Sequence, residues 1–352
     1  MGLMQADRLK SIGEAIFVAA GAPPATARIV VSALVNANLV GHDSHGVQHI
    51  PEYVRSIKVG EIDPRGEASI HRETPVTATV HGAWNFGQVT AEFAIRLAVA
   101  KAKASGIAAI GVVQVNHIGR LGEYAEIAAR EGIIAIVAAG GFAEGKRGQA
   151  VPFGGAQPIL GTNPVAVGFP TGRHDTMFLD FATTSIAAGK IQVARAKGLQ
   201  LPPGSIIDRD GRPTTDPNAY YEGGALLPFG GHKGYGLAMA MEFLGRVVTG
   251  SEQFADQKRG GPFFASSGTM IIGINPAAFG DEDDYRYRAD ATIDRVKGVP
   301  PADGFTEVLV PGEPEHRSRV ERMRDGIPVP KQTWDGIRET AIALGLNDPG
   351  AE

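Results

Sequence analysis

The segment Asp43-Ser44-His45-Gly46 sets a hydroxyl beside an imidazole in a glycine-flanked turn. Histidine titrates near neutrality, so His45 is a candidate to give and take a proton during turnover, with Ser44 or Asp43 orienting its ring. Ser44 as a nucleophile would need a base reaching its hydroxyl, and adjacent side chains point apart. His42, His45 and His49 also fall at i, i+3 and i+7, where they could crowd a metal on one helix face and make a metal-dependent hydrolase. Against this, Gly41 and Gly46 break a helix, and no His-Glu-x-x-His motif accompanies the cluster. Histidines that merely cap a helix or bond backbone carbonyls are the plainer alternative.

Two other stretches could seat an anion. Asn116–Gly122 (NHIGRLG) follows an apolar run and precedes a helix, so free amides and Arg120 could face a pyrophosphate; a helix-initiating loop with an exposed arginine fits equally well. Gly230–Gly236 (GGHKGYG) puts four glycines around His232 and Lys233 at the head of another helix, where backbone and cation can approach a ligand closely. A glycine-rich surface turn is the alternative there. The loops LGTNP (160–164) and LDFATTS (179–185) are polar and touch the ends of buried strands. No strand–GxGxxG–helix unit is present. Gly140, Gly145, Lys146 and Arg147 come close to a triphosphate-binding loop but lack the hydroxyl after the lysine, so a surface turn is expected.

The elements that must carry these residues divide into three parts. The first seventy residues read as helical, with Asp7 capping the first helix, a second over about 25–40 and a third over 51–59. Short β-like runs then alternate with helices: strands near 76–80, 107–115, 133–139, 163–169 and 177–181, and helices over 87–106, 124–131 and 185–197. A helix over 234–248, a late strand at 269–274, a charged surface stretch at 281–304 and a helical tail around a Gly-Ile-Pro turn at 326–328 complete the reading. An α/β fold follows, with an α/β domain over 76–259, expected to carry the cofactor, set into a mainly helical domain made of 1–75 and 260–352 once the resemblance below is taken in.

With 352 residues, the chain has room for two domains. Its net charge of −4 offers no basic field for nucleic acid. The absence of cysteine excludes disulfides, thiolate metal sites and a thiol nucleophile. The longest apolar runs fall well below the roughly 20 residues of a membrane span, and a cytoplasmic address is expected. The 47 glycines, well above the usual ~7%, suit an enzyme that holds a large cofactor.

Taken together, GHDSHGV (41–47), NHIGRLGEYAE (116–126), PFGG (152–155), LGTNP, LDFATTSIAAGK (179–190), GRPTTDP (211–217), LLPFGGHKGYGLA (226–238) and LVPGE (309–313) resemble the malate/L-lactate dehydrogenase type 2 family. Within it, the bacterial hydroxycarboxylate dehydrogenase subgroup shares the pattern. The resemblance implies a non-Rossmann, L-sulfolactate dehydrogenase-like fold, with a mixed-sheet cofactor domain inserted in a discontinuous, mainly helical one. It implies NAD or NADP as cofactor, a small 2-oxo or 2-hydroxy acid as substrate, a homodimer, and no membrane or nucleic-acid partner. By the same resemblance His45 is the proton donor supported by Ser44, and His117 holds the acid/base role in one branch; the mechanism expected from these residues has Lys190 or His117 polarise the carbonyl. The cofactor is expected along Ile118, Gly119, Arg120, Leu121 and Gly122, along Phe178, Leu179 and Asp180, at His232 and Lys233, and along Pro311, Gly312 and Glu313, with His45 beside it. Thr162 and His49 are the expected substrate contacts. His49 stands where many members carry an arginine, and an imidazole anchors a carboxylate less well than a guanidinium. Lys190 stands where the imine-reducing branch carries an aspartate, which favours a keto acid over a cyclic imine. A cyclic imino acid reductase and a nucleotide-binding regulator are the remaining alternatives.

Overall fold

Apolar residues three and four apart build the first layer. In the computed structural model, which describes residues 2–141, 148–256 and 258–350, β1 (Gly2–Met4) leads into α1 (Ala6–Ala19), α2 (Pro24–Leu39) and α3 (Ile50–Lys58). Leu9, Ile16 and Phe17 of α1, Val30, Val31 and Leu34 of α2, and Tyr53 and Val54 of α3 share one core. Pro24 opens α2, where its missing N–H removes no helical bond. Asp7 does not cap α1: Gln5 holds that position, and Asp7 lies in the first turn at the helix's positive end.

From residue 69 strands and helices alternate. In order they are β2 (Ser69–Glu73), β3 (Thr77–His81), α4 (Gly87–Ser105), β4 (Ile107–Val113), α5 (Gly122–Arg130), β5 (Ile134–Gly140), β6 (Val165–Phe169), β7 (Met177–Phe181) and α6 (Ala188–Ala196). Then come β8 (Ile206–Ile207), β9 (Pro213–Thr214), α7 (Pro217–Tyr221), β10 (Ala225–Leu226), α8 (His232–Glu242), α9 (Gly261–Phe264) and β11 (Gly268–Ile274). The chain closes with α10 (Glu282–Lys297), α11 (Glu313–Asp325), β12 (Ile327–Val329) and α12 (Lys331–Ala343). The resembling loop at Gly145, Lys146 and Arg147 lies outside the described residues.

The main sheet runs β2-β3-β4-β11-β5-β6-β7. Only β3 and β4 pair in parallel, across the α4 crossover; the other pairs are antiparallel. It is therefore a mixed sheet, unlike the parallel doubly wound one. Ala108, Ile110, Val112, Ala135, Val137, Ala166 and Ile271 point to one face and pack under α4 and α5. A smaller sheet, β10-β8-β9, builds a third core with Leu160, Ile191, Leu201 and Ala238.

Several expectations change. The strand at 268–274, read from sequence as part of the helical return, lies at the centre of the main sheet, between β4 and β5. Strand order in space is a tertiary property that sequence order does not carry. The stretch at 281–304 contains α10: Asp281 accepts from Asp284 N at 3.0 Å, acidic residues fill the first turn, and Arg295 and Lys297 fill the last. The Gly-Ile-Pro turn is a strand, β12, paired with β1. The helix read over 185–197 starts only at Ala188, and α8 passes into a π-helical turn at Phe243–Val247. Among the described residues no helix is long and apolar enough to cross a membrane.

Candidate active site

The site begins where α2 ends. Gly41 at φ +85° turns the chain, and Asp43–His45 and Val47–His49 form two short 3-10 turns. The Asn38 amide holds them: its Nδ2 donates to Asp43 Oδ1 at 2.6 Å, and its Oδ1 accepts from Val47 N at 2.8 Å. A Cβ on Gly46 would lie 2.2 Å from that Oδ1, so only glycine fits beside it. Helix α11 closes the turn from the other side. Arg322 donates to both oxygens of Asp43 at 2.7 and 3.2 Å, Ser318 Oγ donates to Leu39 O at 3.0 Å, and His42 Nε2 pairs with Glu315 at 3.2 Å.

Within this frame His45 meets His117, their rings stacked 5.7 Å apart at 22°. Ser44 Oγ lies 3.1 Å from His45 Nδ1. Burial, with the charges of His49, His42 and Arg120 behind it, lowers His45 to about 4, although part of the ring remains accessible. His117 is held well below the usual histidine range, first by burial and then by His49 and His45. Both rings are therefore neutral at pH 7. Tyr53, itself pushed up by burial, stays a phenol; Gln88 Nε2 donates to its oxygen at 2.8 Å, and that oxygen lies 2.7 Å from His117 Nδ1. The phenol proton is the donor that a neutral His117 can accept at Nδ1, which leaves its proton on Nε2.

The three histidines of the first turn do not converge. His42 turns to Glu315, whereas His49 bonds Glu52 Oε2 through Nδ1 at 2.6 Å and Ser44 O through Nε2 at 2.8 Å. Neither the three-histidine metal cluster nor a free His49 facing a substrate carboxylate is formed, because His42 and His49 already have carboxylate or carbonyl partners.

The second predicted group is a packed junction. Ile118 and Leu121 are buried in the sheet core, and Gly119 takes φ +75° between them. Arg120 is 4% exposed, not a surface arginine; it pairs with Glu126 and, at 3.1 Å, with Glu123, and stands 5.4 Å over the Phe178 ring. Burial works against its charge, but Glu126, Glu123 and Asp180 outweigh that effect. Its Nε and Nη1 are buried with no partner among the described residues. The anion seat expected at the α5 N-terminus is filled by the chain's own carboxylate: Asp180 Oδ2 accepts from Gly122 N at 2.7 Å. Phe178 N donates to Pro311 O at 3.3 Å, and a Cβ on Gly312 would lie 2.9 Å from the Phe178 ring. Leu179 is half-buried on the same strand. Glu313 accepts from Lys297 at 2.5 Å and Arg317 at 2.9 Å. So Ile118–Gly122, Phe178–Asp180 and Pro311–Glu313 do come together, chiefly through contacts with one another.

Lys190 is exposed on the first turn of α6, next to Gly189, whose added Cβ would lie 3.1 Å from Ser44 Cβ. Thr162 is half-buried, and its carbonyl accepts from Thr183 N and Oγ1 at 3.0 and 2.9 Å. Phe229 N donates to Thr183 O at 3.1 Å, so the loops before α6 and α8 are clasped to the Thr162 loop. His232 and Lys233 stand exposed at the head of α8, after Gly230 and Gly231 at φ +56° and +62°. No side chain caps this helix, and Lys233 forms no ion pair among the described residues. Lys233 N, Gly234 N and Tyr235 N already donate to the Gly230, Phe229 and Gly231 carbonyls, so what remains here to meet a phosphate is chiefly the Lys233 ammonium beside the positive-φ glycines. His232 meets the Phe153 ring edge-on, their centroids 6.0 Å apart.

Sequence reading missed Tyr53, Gln88, Glu52, Glu126, Glu315 and Arg322. Tyr53 lies on an apolar stripe and reads as core; Glu126 ends the stretch NHIGRLGEYAE but carries no expected role, and the others carry no motif, so only folding brings them to the site.

The malate/L-lactate dehydrogenase family model matches residues 4–338. Over 330 residues the chain is 37% identical to the L-sulfolactate dehydrogenase of Methanocaldococcus jannaschii, covering 93% of each. Over 346 residues it is 37% identical to hydroxycarboxylate dehydrogenase B of Escherichia coli, covering 97% of this chain and 94% of that one. The solved structure of the M. jannaschii sulfolactate dehydrogenase superposes with a TM-score of 0.88 at 36% identity over 98% of both chains. With its mixed sheet, its histidine-bearing turn and these matches over nearly its whole length, the chain belongs to the malate/L-lactate dehydrogenase family.

Proposed function

We propose that this chain moves a hydride reversibly between a nicotinamide dinucleotide, NAD or NADP, and C2 of a small 2-oxo or 2-hydroxy acid. The observation that carries this reading is the stacked pair His45 and His117, both kept neutral chiefly by burial. The dinucleotide, when bound, supplies or takes up the hydride.

In hydroxy-acid oxidation, neutral His45 takes the hydroxyl proton, with Ser44 orienting its ring. In reduction His45 returns that proton, and the negative charge of substrate and developing alkoxide raises its affinity for it. His117 acts as a neutral donor: Tyr53 fixes the tautomer, and Nε2–H stabilises the oxyanion without leaving its proton. Lys190, beside Ser44 through Gly189, supplies positive charge to the substrate carboxylate. The Lys233 ammonium, exposed at the head of α8, would hold a phosphate of the dinucleotide. The Ile118–Gly122, Phe178–Asp180 and Pro311–Glu313 junction would form a wall beside it.

A homodimer is supported by the second face of the main sheet. Ile272 pairs laterally with Ala109 and Ile136, and Ile136 with Val167, giving an apolar row across four strands that is only partly covered. Ile107, at the edge of that face, is 48% exposed. A cytoplasmic address accords with chemistry on small acids and nicotinamide cofactors.

The test is spectrophotometric. NADH and NADPH oxidation would be followed with pyruvate, oxaloacetate, phenylpyruvate, hydroxyphenylpyruvate and a cyclic imino acid. Turnover of a 2-oxo acid is expected; turnover of the imine alone, or of none, would overturn the reading.

A further inference from the structure

We propose that Glu52 is a positioning residue that holds His49 as a doubly protonated, fixed cation beside His45 and His117. This goes beyond the reading of those two histidines as the proton-handling pair, and rests on it. Both partners of the His49 ring are acceptors. The Ser44 carbonyl, 2.8 Å from Nε2, can only accept. Glu52 Oε2, 2.6 Å from Nδ1, belongs to a carboxyl that this bond holds below the usual carboxylate range, so it too accepts. Each ring nitrogen therefore donates a proton, and the ring is an imidazolium.

The ring is also immobilised. It stacks on Tyr53 at 5.6 Å and 17°, and its centroid lies 5.0 Å from that of His117. Turning a nitrogen toward a ligand would break one of its two bonds. Its charge reaches the site as a field and not as a contact, which separates it from a guanidinium clamp on the substrate. The groups facing His49 are Glu52, the Ser44 carbonyl, Tyr53, His45 and His117; those acting on His45 are Ser44, His117, His49, His42 and Arg120. A fixed positive charge keeps a proton off His45 in the resting site and favours the arrival of an anionic acid.

The test is long-range nitrogen–proton NMR of the histidine rings in the full-length chain without cofactor, from pH 5 to 9, for wild type, Glu52→Gln and Glu52→Asp. His45 and His49 signals would be assigned by their loss in His45→Gln and His49→Gln. In wild type at pH 7.5, His49 shows both nitrogens protonated. In Glu52→Gln it becomes a neutral tautomer, and the His45 midpoint rises by about one pH unit, as expected for removing a nearby positive charge that acts on it. Glu52→Asp restores part of both effects. A neutral His49 in wild type, or an unmoved His45 midpoint in a folded Glu52→Gln, overturns the proposal. The wild-type spectrum decides the protonation claim even if the variant fails to fold. Failure of the dehydrogenase reading would show separately, as absent turnover.

Discussion

Burial, with His49, His42 and Arg120 nearby, keeps His45 unprotonated at pH 7, and on the proposed role as base that has measurable consequences. Replacing His45 with Ala should lower kcat by about 10²–10⁴ while dinucleotide affinity, read by fluorescence titration, changes little. Because the folded ring titrates at about 4, kcat/KM for hydroxy-acid oxidation should show no histidine limb near 6.5 and should fall only as pH drops toward about 4. The same depression bears on stability. Between the unfolded value of 6.5 and about 4, the unfolded chain takes up a proton that the folded ring refuses, so stability falls as pH falls through that window. A urea midpoint that was unchanged from pH 7 to 4.5 would contradict a buried neutral His45. Asp180 shows the opposite balance: burial raises its carboxyl, with Arg120 and the Gly122 amide working against that rise.

Helices set the geometry that these side chains need. The carboxyl end of α2 aims the Asp43–His45 turn, and α11 locks it through Glu315, Ser318 and Arg322, one residue for each contact along a single face. Arg319 of the same helix reaches Glu126 at 3.2 Å and so ties α5 to this clamp. Buried charge groups of this kind contribute more to geometry than to net stability, because desolvation offsets much of their attraction. Gly46→Ala tests the clamp's tolerance. The new Cβ must displace the Asn38 amide, so a loss of about 1–3 kcal/mol is expected by thermal or urea unfolding, with reduced turnover. Unchanged stability and activity would mean that Asn38 does not determine the turn. Helix α10 makes a related point: its only buried side chains are Asp290 and Ile293, so it has caps and charges but little apolar periodicity to announce it.

Across the whole molecule the mixed sheet is the organising body. Its α4/α5 face is closed by Ile95, Ala98, Tyr124 and Ala128, while the opposite face keeps the Ala109, Ile272, Ile136 and Val167 row incompletely covered. If that row joins two copies, Ile272→Asp should convert dimer to monomer by light scattering at micromolar concentration, with the monomer still folded by circular dichroism. A variant that remained dimeric would move the subunit contact elsewhere.

Amphipathic spacing determined α1 to α5, the apolar runs determined β4 to β7 within a few residues, and the collinear motifs identified the family and singled out His45, Ser44 and His117. These are local properties: periodicity, turn chemistry and residue type act over a few positions and survive in a linear string. Only folding could put Gly268–Ile274 between β4 and β5, plug the α5 N-terminus with Asp180, bury Arg120 against Glu126, and give His49 to Glu52 and the Ser44 carbonyl. The protonation of His45, His117 and Asp180 was likewise beyond the sequence, because it is a sum of burial and charge from residues distant along the chain.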